Sequence, residues 1–389
     1  MECLGESSKN VPNNCFIIKL INSSLSSSMR ILQMHRSLGA GGIEALVCGL
    51  SNELAKHNVV TVCTITKPSP TDHYYSKLAN EVIKETINED GNKSPIKNVF
   101  RIYRFIKKGR FDVIHLHGFF YFYSLAVILL HNKTKFYYTV HSDALKENNP
   151  WDLRLLALKR FCFKKKWLRP ITISPSSKKS FSDLYGCESK LIPNGIIKPF
   201  INGAGVMSKY KITPLTKVFI HAGRICPEKN QLMLCKVFDR LINDGHDVSL
   251  VIAGPMHVKS VMEAITPYLS NRIVFIGEQP DIPAMMHDSF GMCLTSLYEG
   301  LPIVLLEALA TGCVPICTPV GGIVDVLQDG FNGFLAASVL ENDYYQTIIR
   351  VLHLSDSQIE EIRKNCIISF NEYDISISAD RYYKYYEVD

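Results

Sequence analysis

The chain of 389 residues is too long for one ordinary domain and suits two, each of roughly 150–200 residues. Hydrophobic residues at 47% and charged residues at 21% give an ordinary globular balance, with apolar material for two cores. The net charge of +6 hides an asymmetry: residues 29–198 carry 27 Lys/Arg against 13 Asp/Glu, and residues 199–389 carry 14 against 22. A basic first half suits an anionic membrane surface or a phosphorylated ligand, and a merely solvated surface accounts for the same charge. The 12 cysteines are scattered without a Cys-x-x-Cys pair, which argues for reduced, mostly buried thiols in a cytoplasmic protein rather than a disulfide scaffold. The longest mostly apolar run, Phe119 to Leu130, has 12 residues, short of the roughly 20 that span a bilayer.

Residues 1–28 make a poor signal peptide, with Glu2 and Glu6 near the start and Lys19 inside the apolar stretch. We expect a disordered extension there, with translation starting at Met29. Beyond it, strands alternate with helices. Arg30–Met34 reads as a buried strand, followed by the glycine loop Leu38-Gly-Ala-Gly-Gly42 and a helix over Ile43–His57. Val59–Ile65 is a β-branched strand, and residues 67–95 are polar. A helix over Ile96–Lys108, a strand at Val113–Leu116 and a buried helix over Phe119–His131 follow. Then come a strand at Lys135–Val140, a basic helix over Trp151–Trp167, a strand at Ile171–Ile173, and a helix over Ser176–Tyr185. The last is capped by Ser174 or Ser176 and closed by Gly186. This βα alternation predicts a doubly wound parallel sheet over 29–198.

Pro, Gly and Asn in residues 199–216 mark a linker, and the cycle restarts. Strands are expected at Val218–Ala222, Val248–Ala253, Ile273–Ile276, Gly291–Leu294 and Val314–Cys317. Helices are expected at Gln231–Asp244, Val258–Leu269, Ile282–His287 and Pro302–Ala310. A second α/β domain therefore covers 199–370. The Tyr-rich tail, 371–389, reads as a helix.

Two loops carry chemistry. Glu299-Gly-Leu-Pro-Ile-Val-Leu-Leu-Glu307 follows a strand and enters a helix, with Pro302 in the first turn. Carboxylates accept hydrogen bonds from hydroxyls and can hold a diol, and the free amides of Gly300, Leu301 and Ile303 can face an anion or a sugar hydroxyl. A structural role for Glu307 explains the spacing equally well. Gly223-Arg224-Ile-Cys-Pro-Glu-Lys229-Asn230 follows another strand, so its two cations lie at a carboxyl end, where open α/β sheets bind ligands. A solvated basic loop is the alternative. His115 and His117 alternate along a strand and share a face, but no third zinc ligand with suitable spacing accompanies them.

Taken in order, these segments resemble the retaining family 4 glycosyltransferases. The match rests on Glu299-x7-Glu307 with Gly-Arg-x4-Lys-Asn upstream, and on Leu38–Glu44, Asp112–His117, Thr139-Val-His141 and Ile192-Pro-Asn-Gly195. It continues through Val251–Gly254, Val274–Gly277, Gly321-Gly322 and Asp329–Gly333, over about residues 29–340. The resemblance implies a GT-B fold, two Rossmann-like domains facing a cleft, with the tail helix packing back on the first domain. It implies that Arg224 and Lys229, beside Gly223, neutralise a donor diphosphate, and that Glu307 holds the ribose. Glu299 and the amides of Gly300, Leu301 and Ile303 would hold the donor sugar, and His141 would contact it. Gly41 and Gly42 would approach the phosphate from the first domain, and Ile276, Gly277 and Glu278 would border the base.

A nucleotide-sugar is then the co-substrate and no metal or other cofactor is expected, because Asp-x-Asp is missing. The acceptor would be a glycan or a lipid-linked glycan in cell-surface polysaccharide or lipopolysaccharide assembly. Lys159–Arg169, basic and aromatic, suggests peripheral contact at the inner face of the cytoplasmic membrane. No nucleic-acid partner is expected. Ile196-Ile197 after Asn194-Gly195, Thr295, and Leu301-Pro302 depart from the family pattern, the last beside the sugar pocket. An epimerase or phosphorylase shares the fold. A non-catalytic glycan- or nucleic-acid-binding module leaves the diphosphate loop unexplained, and a Rossmann oxidoreductase would need Gly-x-Gly-x-x-Gly, whose third glycine is missing.

Overall fold

A computed structural model describes residues 28–39, 41–69, 72–88, 94–201 and 205–388; the expected N-terminal extension lies, but for residue 28, outside them. Strands β1 (Arg30–His35), β2 (Val59–Thr66), β3 (Ile83–Asn88), β4 (Val113–His117), β5 (Lys135–Val140), β6 (Arg169–Thr172) and β7 (Lys190–Leu191) form one parallel sheet. Its order is β3-β2-β1-β4-β5-β6-β7. Strands β8 (Lys217–Ala222), β9 (Val248–Ala253), β10 (Ile273–Gly277), β11 (Gly291–Leu294), β12 (Val314–Cys317) and β13 (Phe334–Leu335) form a second parallel sheet, in the order β10-β9-β8-β11-β12-β13. In each sheet the winding direction reverses once, between β1 and β4 and between β8 and β11. A crevice opens beyond the carboxyl ends of strands at such a point.

The core strands carry continuous apolar runs because helices cover both faces. On one face of the first sheet, helices Pro95–Gly109, Phe120–Leu130, Leu156–Lys164 and Pro175–Tyr185 enclose a cluster built around Ile102, Phe120, Tyr123, Phe163 and Phe181. The other face is covered by the helix Gly42–Leu54 and by the last helix of the chain, Ile375–Val388, which contributes Ile375, Ala379, Tyr382 and Tyr386. The second sheet has its own core, which includes Phe219, Phe238, Leu305 and Leu309. The chain crosses between the domains twice, near 196 and near 374. The two crossings are zipped together where Ile196 N donates to Tyr373 O and Ile375 N to Ile196 O, both at 2.9 Å.

Several elements differ from expectation. β3 falls inside the polar segment 67–95: it is an edge strand whose Ile83, Lys84 and Glu85 are exposed, so it carries little apolar signal. β7 and β13 are two-residue strands. Helices Glu341–Leu352 and Asp356–Phe370, absent from the expectation, pack on the second core through Tyr344, Ile348, Ile359 and Phe370. The basic helix is broken at Leu155 into Pro150–Arg154 and Leu156–Lys164. Ser174 is the cap of Pro175–Tyr185, in a reciprocal arrangement with Ser177. Among the described residues every cysteine is a free thiol, and all but Cys187 are buried.

Lys159 corrects a second expectation. It does not project towards solvent or lipid but lies 1% exposed in the first core. Its ammonium donates to Asn148 Oδ1 at 2.9 Å and Tyr138 Oη at 3.1 Å, with Glu147 and Asp152 close enough to favour its charge. Burial acts against that charge more strongly and lowers its pKa.

Tyr382 is fully buried between the last helix and the first sheet. Its replacement by alanine should destabilise the first domain by about 3–5 kcal/mol, seen in urea titration as an earlier midpoint for that domain's transition.

Candidate active site

Both reversal points open onto one cleft between the domains. On the second-domain side, β8 ends at Ala222 and runs into Gly223-Arg224, while β11 ends at Leu294 and runs into Thr295-Ser296. The Thr295 hydroxyl donates to the carbonyls of Lys229 at 2.9 Å and Asn230 at 3.2 Å, and Leu297 N donates to Glu228 O at 2.8 Å. Gln231 Nε2 donates to Arg224 O at 2.8 Å. These bonds tie the cationic loop to the carboxylate loop, so the departure at Thr295 has a structural use.

Lys229 Nζ pairs with Glu299 Oε1. The Ser296 hydroxyl donates to the same oxygen at 2.5 Å. Among the described residues nothing donates to Glu299 Oε2, so one carboxylate oxygen is anchored and the other is left to accept. Arg224 is exposed, with Gly223 beside it at the strand end. The helix after Glu299 starts at Ile303, one residue later than expected, with Pro302 as its cap. No described group accepts from the amides of Gly300, Leu301 or Ile303. The Leu301 side chain is 4% exposed and belongs to the second core, so only its backbone, not its side chain, borders the cleft.

Two glycines let backbone meet backbone here. A Cβ at Gly300 would lie 2.0 Å from the His141 carbonyl oxygen, across the domain boundary. A Cβ at Gly321, whose φ is +53°, would lie 1.9 Å from Glu299 O. Gly322 N donates to Gly300 O at 2.6 Å. The domains are also fastened by Ser176, whose hydroxyl reaches Gly321 O at 3.2 Å and Asp325 Oδ2 at 3.1 Å, and by Asn194 Nδ2, which donates to Leu301 O at 3.3 Å. A cavity of about 250 Å³ lies at this seam, lined by Ser142, Lys146, Ser176, Tyr298, Glu299 and Gly321.

Glu307 is only half-buried by solvent contact, yet it sits deep between the domains. That surrounding protein pushes its carboxyl from the ordinary 4.5 up to about 7, with Lys77 of the first domain pulling the other way. Lys77 was not expected at the site, because it lies in a polar loop with no motif. Ile276, Gly277 and Glu278 stand at the end of edge strand β10, and Gly277 O accepts from Gly254 N at 2.8 Å.

On the first-domain side, Gly42 opens the helix Gly42–Leu54 and faces Ile303 of the other domain. Gly41 precedes it, and the Glu44 carboxylate folds back against Gly41 Cα. An incoming phosphate at this helix end would have to displace Glu44. His141 follows β5, is 8% exposed, and receives its backbone position from Glu147, which accepts from His141 N at 2.5 Å. Its Nε2 lies 3.0 Å from His117 Nδ1, while its Nδ1 is buried without a partner. Burial, with His35 adding to it, lowers the His141 pKa to about 3, so the ring is neutral. His115 and His117 belong to this polar chain and not to a metal cluster. Among the described residues no group of three His, Cys, Asp or Glu side chains could hold a metal ion.

Residues 207–368 match the family described as glycosyl transferases group 1, and residues 40–197 match Glycosyltransferase Family 4, so the two together span most of the chain. The chain is 26% identical over 301 residues to the Escherichia coli UDP-Gal:alpha-D-GlcNAc-diphosphoundecaprenol alpha-1,3-galactosyltransferase, covering 70% of this chain and 73% of that one. It is 25% identical over 319 residues to a Campylobacter jejuni alpha-1,4-N-acetyl-D-galactosaminyltransferase named for an undecaprenol-diphosphate-linked substrate, covering 79% and 84%. In fold it is similar to a Rickettsia africae glycosyltransferase, with TM-score 0.77 and 18% identity over 92% of this chain and 98% of that one. An Anabaena protein, HepE, solved with UDP and glucose, gives TM-score 0.73 at 18% identity over 92% and 99%. With two parallel Rossmann-like sheets facing a cleft and both halves matched, the chain belongs to the family 4 glycosyltransferases of GT-B fold.

Proposed function

We propose that the enzyme moves a sugar from a nucleoside-diphosphate donor, with UDP the favoured nucleotide, to a glycan carried on a polyprenyl diphosphate. The observation that carries the donor half is the pairing of Lys229 with Glu299 beside the unpartnered amides of Gly300, Leu301 and Ile303, with Arg224 on the same loop after β8. Two cations at a strand end suit a diphosphate, and they stabilise the charge that grows on it as the glycosidic bond breaks. Glu299 Oε2 and the amides suit sugar hydroxyls, and Glu307 suits the ribose diol. The E. coli relative, named for UDP-Gal and a diphosphoundecaprenol acceptor, supports both the nucleotide and the acceptor class.

Transfer proceeds with retention and without a metal ion, the cationic role falling to Arg224 and Lys229. The acceptor oxygen forms its bond to the anomeric carbon on the face the diphosphate leaves, and the departing phosphate oxygen takes the acceptor proton.

The basic first domain meets anionic lipid through helices Pro95–Gly109, Pro150–Arg154 and Leu156–Lys164, which flank Phe120–Leu130. Ile96, Phe100, Trp151 and Phe161 are exposed there among Lys97, Arg104, Lys107, Lys108, Lys164 and Lys165. Apolar anchors set among cations suit a peripheral contact. No described helix is long and apolar enough to cross a membrane. Sedimentation with vesicles containing anionic lipid should carry the protein down, and Phe100→Glu with Trp151→Glu should abolish this; equal binding to neutral vesicles would refute the contact.

A thermal-shift panel of UDP-, GDP-, ADP- and CMP-sugars tests the donor site. UDP-sugars should raise the melting temperature of the wild type and not of Glu307→Ala; no shift from any donor would overturn the reading. The Glu307 carboxyl also predicts a pH dependence. Its raised pKa means its stabilising contribution is complete below about 4.5 and lost as the pH rises through about 7. The ribose needs the ionised form, so donor affinity should climb between pH 6 and 8, by isothermal titration, and Glu307→Gln should flatten the profile. Gly300→Ala should force the domains apart at His141 and lower turnover by about 100-fold or more, with each domain's unfolding transition little changed.

A further inference from the structure

His141 ends a buried chain of polar side chains that begins in the last helix of the protein. His117 Nε2 lies 2.9 Å from Gln33 Oε1, and His117 Nδ1 lies 3.0 Å from His141 Nε2. Gln33 and His117 are fully buried. On its other side, the Gln33 amide nitrogen lies within electrostatic reach of the Tyr386 hydroxyl, short of a well-formed hydrogen bond. Tyr386 itself bonds His115 Nδ1 at 2.6 Å.

These contacts fix a direction. With the Gln33 amide oxygen turned to His117, that oxygen can only accept, so His117 Nε2 carries the proton and His117 Nδ1 is a bare lone pair. That lone pair needs a donor, and His141 Nε2–H is the atom beside it. A neutral imidazole has one N–H, so His141 Nδ1 is left as an acceptor, and it is the atom that is buried without a protein partner.

We propose that Gln33 and His117 are positioning residues that hold His141 as its Nε2–H tautomer, so that His141 offers the donor sugar an acceptor and selects a hydroxyl there. The inference rests on the donor site proposed above. A sugar with a hydroxyl facing Nδ1 completes the chain. A sugar with a carboxylate there, as in a uronic acid, sets two acceptors against each other in a buried place and is rejected. Burial agrees with this arrangement: His117, like His141, is held neutral, its pKa well below the usual range.

The test uses the full chain labelled with 15N-histidine, with His117→Asn and His141→Asn to assign the signals. Two-bond proton–nitrogen spectra should show both rings as Nε2–H tautomers. An Nδ1–H ring at His141 would overturn the proposal, whatever the activity. Donor turnover is then followed as nucleoside diphosphate release, using the nucleotide-sugar that the thermal panel selects. Gln33→Met, which removes the acceptor while keeping the shape, should lower kcat about tenfold or more with little change in donor KM. Gln33→Glu, which keeps an acceptor facing His117, should recover most of it. Equal loss in both variants, in step with their melting temperatures, would show a packing role only and defeat the proposal. If Glu307→Ala leaves the donor shift intact, the donor site itself is misplaced; if that shift is lost while Gln33→Met turns over like wild type, only the tautomer assignment fails.

Discussion

Between residues 300 and 141 the backbones of the two domains approach so closely that no side chain fits, and the rest of the cleft is arranged around that contact. It brings the turn before the helix Ile303–Thr311 against the end of β5, and so brings Glu299, the free amides and His141 into one space. The Ser176–Asp325 and Asn194–Leu301 bonds hold the same seam from either side. A domain arrangement built on a few polar bonds and one glycine can open and close at small cost, which a transferase that must admit a donor and release a nucleotide requires. The two chain crossings, at Ile196 and Asp374, are zipped to one another.

Charge is distributed to match. Lys229 and Glu299 satisfy one another, which avoids leaving either charge alone in a partly buried place. Arg224 remains exposed at the rim. On the donor site proposed above, a diphosphate would exchange the carboxylate partner of Lys229 for phosphate oxygens. On the opposite wall the Glu44 carboxylate lies against Gly41 at the helix end.

Much of this was legible in the sequence, and the limits have physical causes. Strands Lys135–Val140, Val248–Ala253, Gly291–Leu294 and Val314–Cys317 were read to the residue, because a parallel strand covered on both faces is an unbroken apolar run. β3 escaped because an exposed edge strand has no such run. The loops holding Arg224, Lys229 and Glu299 were visible as polar residues just beyond those runs. Lys159 misled because its basic, aromatic neighbourhood looks like a surface, while its partners Tyr138, Glu147 and Asn148 come from other segments. The Gln33–His117–His141 chain left only faint traces: one amide inside an apolar strand and two histidines at spacing two. Pairing across 84 residues, from Gln33 to His117, is a product of the fold and not of local pattern.

The last helix has a consequence for how the protein is made. Tyr382 and Tyr386 complete one face of the first sheet, although they are translated after the whole second domain. The first domain thus emerges from the ribosome with an apolar face uncovered and waits for the second to be synthesised before it can close. Closure of the amino-terminal half in this sense depends on a segment made after the second domain, and a substitution in helix Ile375–Val388 would be felt first in the half that was synthesised earliest.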